Sequence, residues 1–432
     1  LSAAVLSPDP LMRRARRPYL ARLQACRAFV ALALLASSQA WAEAPATRGE
    51  LAVGLWSSNR MLDDRDGTPA ARLAFGMDWA VADGVQVTAD GLLTHSPQRL
   101  DGRRGDADLR ELYLRLADMP CAPVLGKRLV LWGRADGVNP TDLVAPTNHR
   151  LLAPESEDQR SGVWGAHLDC QAGGGNLQVH VIDRFEQSRI PLALPAGVVF
   201  RETRHPDADP VVAVRYDRLG SAADWSISAV SGYDPFPTLE LRGVSAQGIE
   251  LGTRATRMRM LGADLAMVRG KAALRGEIAW VDYAGSRDPR VAPRRSHTSL
   301  VAGAEWSLRE GETLGAQVFW KRLRDAPPPS GDPLPALLRE GQALISNELD
   351  RDQYGVTVRY AKAVFDTRGD FDLFLVAGRP RGDWLLRARY GYAITDSLRV
   401  EAGIDHFRGG EDSFLGRLRD NSLGFVELAH SW

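Results

Sequence analysis

The chain has 432 residues, with 54 Lys and Arg balanced by 54 Asp and Glu. A formal charge of zero, falling to about −5 once an N-terminal export signal is removed, argues against a nucleic-acid partner, which needs a basic surface. No apolar run reaches the ~20 residues of a membrane-spanning helix, which excludes a helical membrane bundle.

The first feature in chain order is an export signal. Met12 is the expected natural start, followed by Arg13, Arg14, Arg16, Arg17, Arg22 and Arg27, an apolar run from Ala28 to Ala36, and the small-x-small triplet Ala40-Trp41-Ala42. These are the basic, apolar and cleavage regions of a secretory signal peptide. Residues 1–42 are therefore expected to be removed, leaving 43–432 as a single domain. The removal takes six Arg and Asp9, leaving 48 basic and 53 acidic residues and a charge near −5. About 390 residues would suggest two or three soluble domains, yet no linker or composition shift divides them.

The remainder reads as eighteen alternating segments: 49–58, 70–81, 85–94, 107–117, 125–134, 161–170, 176–185, 210–218, 224–233, 258–268, 271–283, 298–308, 313–323, 353–364, 370–379, 384–394, 398–407 and 422–432. In the second, Leu73, Phe75, Met77 and Trp79 share a face; in the sixteenth, Trp384, Leu386, Ala388, Tyr390 and Tyr392 oppose Leu385, Arg387, Arg389 and Gly391. Period two places each set on its own side of a sheet. Connections after even-numbered segments are short, such as Asp83-Gly84 and Arg269-Gly270, and those after odd-numbered segments are mostly long. A sandwich gives no reason to sort loops this way. An outer-membrane barrel does, with short periplasmic turns, long external loops and an even strand number. The expected fold is thus all-β, a transmembrane antiparallel barrel of about eighteen strands. Sixteen is the alternative, because the first and fifteenth segments are weaker. The last segment ends on Trp432, as expected for a closing strand with an aromatic in the interfacial girdle.

Outside the signal, Cys121 and Cys170 are the cysteines. Turn order puts Cys121 in the link at 118–124 and Cys170 at the end of the sixth segment, both on the periplasmic side. In an oxidising compartment they are free to pair, provided that the link folds across its neighbour; two free thiols is the alternative. No CxxC, HExxH or Cys/His cluster occurs, so no metal or cofactor is expected.

Residues 127–165 are the most distinctive stretch. A strand expected to end at Trp132-Gly133-Arg134 leads into a loop with Asp136, Asn139, Pro140 and Asp142, which returns through Asp158, Gln159 and Arg160. Asp and Asn satisfy such a loop by turning back on its backbone. Arg134 and Arg160 flank its base, with Asp136 and Asp158 close by in sequence. Ion pairs among them would hold the loop inward as a constriction; the alternative is a solvated external loop. The segment resembles the strand-loop-strand of a family of Gram-negative outer-membrane barrels of unknown function with a WGxAD…NPxD…DQRxG pattern. It is more distantly similar to the alginate-export porins, which are monomeric eighteen-stranded barrels. The resemblance implies an outer-membrane channel whose third long loop is shaped by polar contacts, and it names no substrate.

Inward parity selects Arg115, Glu111, Arg275, Glu277, Lys321, Arg359, Arg387 and Arg389 as pore-lining candidates. Lys321, Arg359, Arg387 and Arg389 form an expected basic stripe on one wall, since charge is cheap in a hydrated lumen and costly toward lipid. The alternative is a mixed lining of mutually paired residues. No catalytic set is expected: GxSxG is absent, and nothing fixes His167 or His180 beside a nucleophile. Three functions fit a barrel of this size. A channel would pass a polar or amphipathic solute. An export outlet would pass a polymer and engage a periplasmic transport component. An adhesin would have a sealed lumen. All three have outer-membrane lipid as a partner.

Overall fold

The computed structural model describes residues 44–58, 68–95, 105–149, 159–190, 197–203, 206, 209–246, 248–286, 288–324 and 332–432. The expected signal peptide and Asp158 lie outside them.

In chain order the strands are β1 (Ala46–Ser58), β2 (Thr68–Ala82), β3 (Val85–His95), β4 (Gly105–Leu116), β5 (Cys121–Arg128), β6 (Val163–Ala172) and β7 (Gly175–Arg184). Next come β8 (Val198–Arg201), β9 (Val211–Arg218), β10 (Asp224–Tyr233), β11 (Thr238–Ser245), β12 (Gly248–Arg254), β13 (Arg257–Arg269) and β14 (Ala272–Tyr283). The last third holds β15 (His297–Arg309), β16 (Glu312–Leu323), helix α1 (Pro333–Ile345), β17 (Asp352–Val364), β18 (Gly369–Arg379), β19 (Trp384–Ala393), β20 (Leu398–Arg408) and β21 (Leu423–Ser431).

Eighteen of these strands pair antiparallel, each with its neighbour in sequence, and β21 closes on β1. Closure leaves no unpaired edge in the sheet, which is what an apolar solvent demands of a β structure. Trp432 lies beyond the end of β21 and still pairs, exchanging main-chain hydrogen bonds of 3.0 and 3.1 Å with Gly49. The count is eighteen rather than sixteen, and the two weaker segments are full strands of 13 and 11 residues.

The hydrophobic pattern is inside out. Leu51, Val53, Leu55, Phe75, Trp79, Ile278, Trp280, Val318, Tyr354, Val356, Val426 and Leu428 are exposed on the outer face, while Asp90, Arg215, Asp264, Glu277, Gln317, Asp405 and Glu427 are buried within. A closed, even-stranded barrel with an apolar exterior is a transmembrane barrel. Among the described residues no helix is long and apolar enough to cross a membrane.

The start of β1, the end of β21 and the short turns share one end. The β2–β3 turn is two residues, Asp83-Gly84, and Gly84 takes φ +69°, the left-handed geometry such a tight hairpin requires. At the opposite end the connections are long, apart from the short β18–β19 link. Three of them carry strands or an α-helix that the alternation did not reveal. Strands β11 and β12 form a hairpin, and β8 joins β12 in parallel. Helix α1 starts on Asp332, whose carboxylate accepts from Leu334 N at 3.1 Å, with Pro333 in the first turn. Leu338 of the helix packs with Ile190, Leu239 and Ala292. Arg294, buried between these loops, donates to Glu348 at 3.1 Å and pairs with Asp234 at 2.9 Å. The outer loops are thus tied to one another by an apolar cluster and a buried ion-pair network.

Candidate functional site

The loop between β5 and β6 enters the barrel. Strand β5 ends at Arg128, six residues earlier than its alternation indicates. Past Arg128 the apolar pattern continues without a sheet partner: Val130 and Trp132 pack with Val144, Val163, Ile182, Val211, Met258, Met260 and Val281. These are lumen-facing positions of the β6–β14 wall, so this side of the barrel is filled with packed apolar side chains. Burying each side chain of this size contributes about 1.5–3 kcal/mol.

From that packed base the loop reaches across the lumen. Arg134 Nε donates to Asp264 Oδ1 on β13 at 2.6 Å, its Nη2 donates to Asp217 on β9 at 2.5 Å, and its Nη1 lies 3.7 Å from Asp224 on β10. Asp264, with a fully buried side chain, also binds Arg215 at 2.8 Å. Burial works against the Arg134 charge, but the hydrogen bond to Asp264 and the charges of Asp217 and Asp264 outweigh it and raise its pKa. Glu277 on β14 accepts from Arg134 N at 3.1 Å, from Thr141 N at 2.7 Å and from Thr141 Oγ1 at 2.8 Å. Asp136 N donates to Gln317 on β16 at 3.2 Å, and its carboxylate lies 3.7 Å from Arg275 and 3.5 Å from Arg359.

The loop is seated against the inner wall, and its partners differ from the ion pairs expected from sequence. The contacts of Arg134 lie on β9–β14 and those of Asp136 on the adjoining β14–β17 stretch of the wall. At the base, Arg160 pairs with Asp142, which also accepts from Trp132 N at 3.4 Å. Burial raises the Asp142 carboxyl above the ordinary aspartate value, with Arg160 opposing it. The main-chain oxygen of Asn139 accepts from Asp142 N at 3.3 Å. Glu111 accepts from Leu129 N at 2.8 Å, where the loop leaves the sheet. Arg115 lies on β4 toward the short-turn end, in register with Gln86 and Val124. Asp217, Asp264, Gln317 and Phe374 are site residues that sequence reasoning did not select for the loop. They lie 83 to more than 200 positions away, and no local signal links them to it.

The basic stripe is corrected in the same way. Arg359 donates to Asp372 at 2.7 Å, and Arg387 donates to Asp405 at 3.1 Å. The Arg389 guanidinium lies 5.8 Å from the Phe425 ring centre, and Lys321 donates to Asn347 O at 3.3 Å. The wall alternates charge rather than presenting one sign: Arg359 meets Asp372 on β18, Arg387 meets Asp405 on β20, and Arg389 stands in register with Asp372.

Two cavities lie on either side of the loop. The outer one, about 710 Å³, is lined by Trp132, Asn139, Arg160, Lys321, Arg381 and Phe414 among others. The inner one, about 370 Å³, is lined by Asp136, Arg359, Asp370, Arg389, Arg399 and Glu401. Gly137, Phe374 and Arg387 border both.

Cys121 is corrected too. It is the first residue of β5, not part of a turn, and it stands directly opposite Cys170 of β6 in the ladder. The two form a disulfide at the short-turn end. No folding of a link across its neighbour is needed.

Solved structures share this architecture. Pseudomonas aeruginosa OccK8 (OprE) matches with a TM-score of 0.55 over 91% of this chain and 99% of its own, at 13% identity. Acinetobacter baumannii OccAB1 matches at 0.57 over 92% and 99%, at 8% identity. Pseudomonas aeruginosa OpdK, crystallised with vanillate, matches at 0.55 over 91% and 99%, at 11% identity. The fold is theirs. No family model and no curated relative matches the chain. An eighteen-stranded barrel of this build belongs in the bacterial outer membrane.

Proposed function

We propose that the protein is an outer-membrane channel that passes a small polar or amphipathic solute by diffusion. The observation that carries this is the loop seated across the lumen, with a cavity on each side of it. A barrel whose role ended at its outer loops has no need of a narrowed, charge-lined interior. Pore diameter and lining charge are the terms that set channel selectivity.

The outer cavity combines aromatic Trp132, Phe319 and Phe414 with bases Lys321, Arg381 and Arg387 and acids Asp142, Asp350 and Asp383. That lining suits a solute with an apolar ring and a polar or charged group. OpdK, crystallised with vanillate, is a neighbour whose ligand is of this kind. The divided lumen favours such a solute over a polymer, so the export-outlet reading is second. Residues 43–432 form the channel domain on this reading, and residues 1–42 direct its export.

Liposome swelling tests the proposal. Vesicles carrying the protein should swell in small amphipathic carboxylates and small sugars, with rates falling steeply as solute size increases. Vesicles that behave as protein-free controls in every solute would refute it.

A further inference from the structure

The β6–β14 side of the lumen is closed by the apolar cluster and by the Arg134 and Glu277 contacts. Along β14–β17 the loop meets the wall at Asp136, beside Arg275, Gln317 and Arg359. The cavities above and below the loop face each other on the β17–β20 side, across Gly137, Phe374 and Arg387.

Phe374 stands on the inward face of β18, in register with Arg359 on one side and Arg387 on the other. Its ring reaches the loop backbone: a Cβ placed on Gly137 would meet the ring Cζ at 2.5 Å. Gly137 holds φ +79°, a conformation that L side chains rarely adopt, so glycine is required there both by its backbone and by the approaching ring. The contact forms a partition one side chain thick. An aromatic ring turns about two side-chain bonds, whereas the loop is fixed by several charged contacts.

We infer that Phe374 is the size-determining residue of the pore, the movable wall of an aperture completed by Gly137 and Arg387. This rests on the channel reading above. Solute passing between the cavities slides along the Phe374 face with its polar end toward Arg387. The width left by side chain 374 sets the largest solute that crosses.

A size series in planar bilayers tests this, using the full barrel and confirming folding by heat-modifiable gel migration. Conductance should increase in the order Phe374→Trp, wild type, Phe374→Leu, Phe374→Ala. The alanine variant should exceed wild type by at least about 1.5-fold, because conduction follows the open section at the narrowest point. A second arm keeps the test independent of packing losses: Phe374→Cys should be blocked progressively by thiol reagents of increasing bulk, with Cys121 and Cys170 left paired. Equal conductance across the series, or a modified Phe374→Cys that conducts as before, overturns the inference while the channel reading stands. A wild-type barrel that conducts nothing overturns both.

Discussion

Thr141 gives both its main-chain N–H and its hydroxyl to one carboxylate oxygen of Glu277, at 2.7 and 2.8 Å, across 136 residues of sequence. The second oxygen takes Arg134 N. A wall residue therefore holds the loop mainly by its backbone, alongside the side-chain contacts that Arg134 and Asp136 make with the wall.

Glu277→Ala removes the acceptor from four donors, the Arg134, Ala135 and Thr141 N–H groups and the Thr141 hydroxyl, the two on Thr141 being buried. A buried donor left without a partner costs about 1–3 kcal/mol, so loop docking should weaken by a few kcal/mol. Single-channel recordings should show larger and noisier currents, while thermal unfolding of the barrel changes little. Quiet currents of wild-type size would show that the loop does not need Glu277.

Arg134→Lys should not rescue what Arg134→Gln breaks. The guanidinium fork reaches Asp264 and Asp217 at once, and a lysine ammonium is a single point charge without that geometry. Both variants should widen the pore, with the lysine variant intermediate. Because Asp264 is shielded from solvent, the effect should persist at high salt. Full recovery of wild-type conductance by lysine would mean that charge alone holds the loop.

These residues also mark where reading the chain stops. The strands were legible because lipid and lumen impose period two on every one, as Leu51, Val53 and Leu55 against Ala52 and Trp56 show. Strand β5 ran too long on the page because Val130 and Trp132 keep the same period while packing into an apolar cluster instead of a ladder. Helix α1 and strands β8, β11 and β12 were missed inside long connections. The Asp332-Pro333 start was a usable sign for the helix, since proline favours the first turn. The sequence offers an inward seat for the loop, on ion pairs among Arg134, Arg160, Asp136 and Asp158, beside a solvated external alternative, and it does not indicate the loop's wall partners. Nothing local to Arg134 indicates Asp264, and only closure of the barrel brings the two together.

The Cys121–Cys170 bond should show on non-reducing gels of denatured protein as a mobility shift lost in Cys170→Ser. It joins β5 to β6 beneath the constriction loop, across a sequence separation of 49. Closing a loop of that size stabilises by about 2–4 kcal/mol, so the serine variant should melt at lower temperature in detergent. Complete thiol labelling of unfolded, unreduced wild type would contradict the bond.

Arg387→Glu combined with Arg389→Glu should shift the reversal potential toward cation selectivity in an asymmetric salt gradient. Asp405, now the partner of Arg387, would then add to the negative charge of the wall instead of offsetting it. The shift should shrink at molar salt, where the screening length falls to about 3 Å. An unchanged reversal potential in a folded, conducting double variant would place both side chains outside the ion path.

The central claim is an open pore narrowed by the loop that carries Arg134 and Thr141. Single-channel recording of wild type beside an Arg134→Gln/Glu277→Ala double variant addresses it most directly. The account predicts discrete wild-type steps and distinctly larger steps in the double variant. A folded wild-type barrel that passes no current, or a double variant with steps identical to wild type, would contradict it.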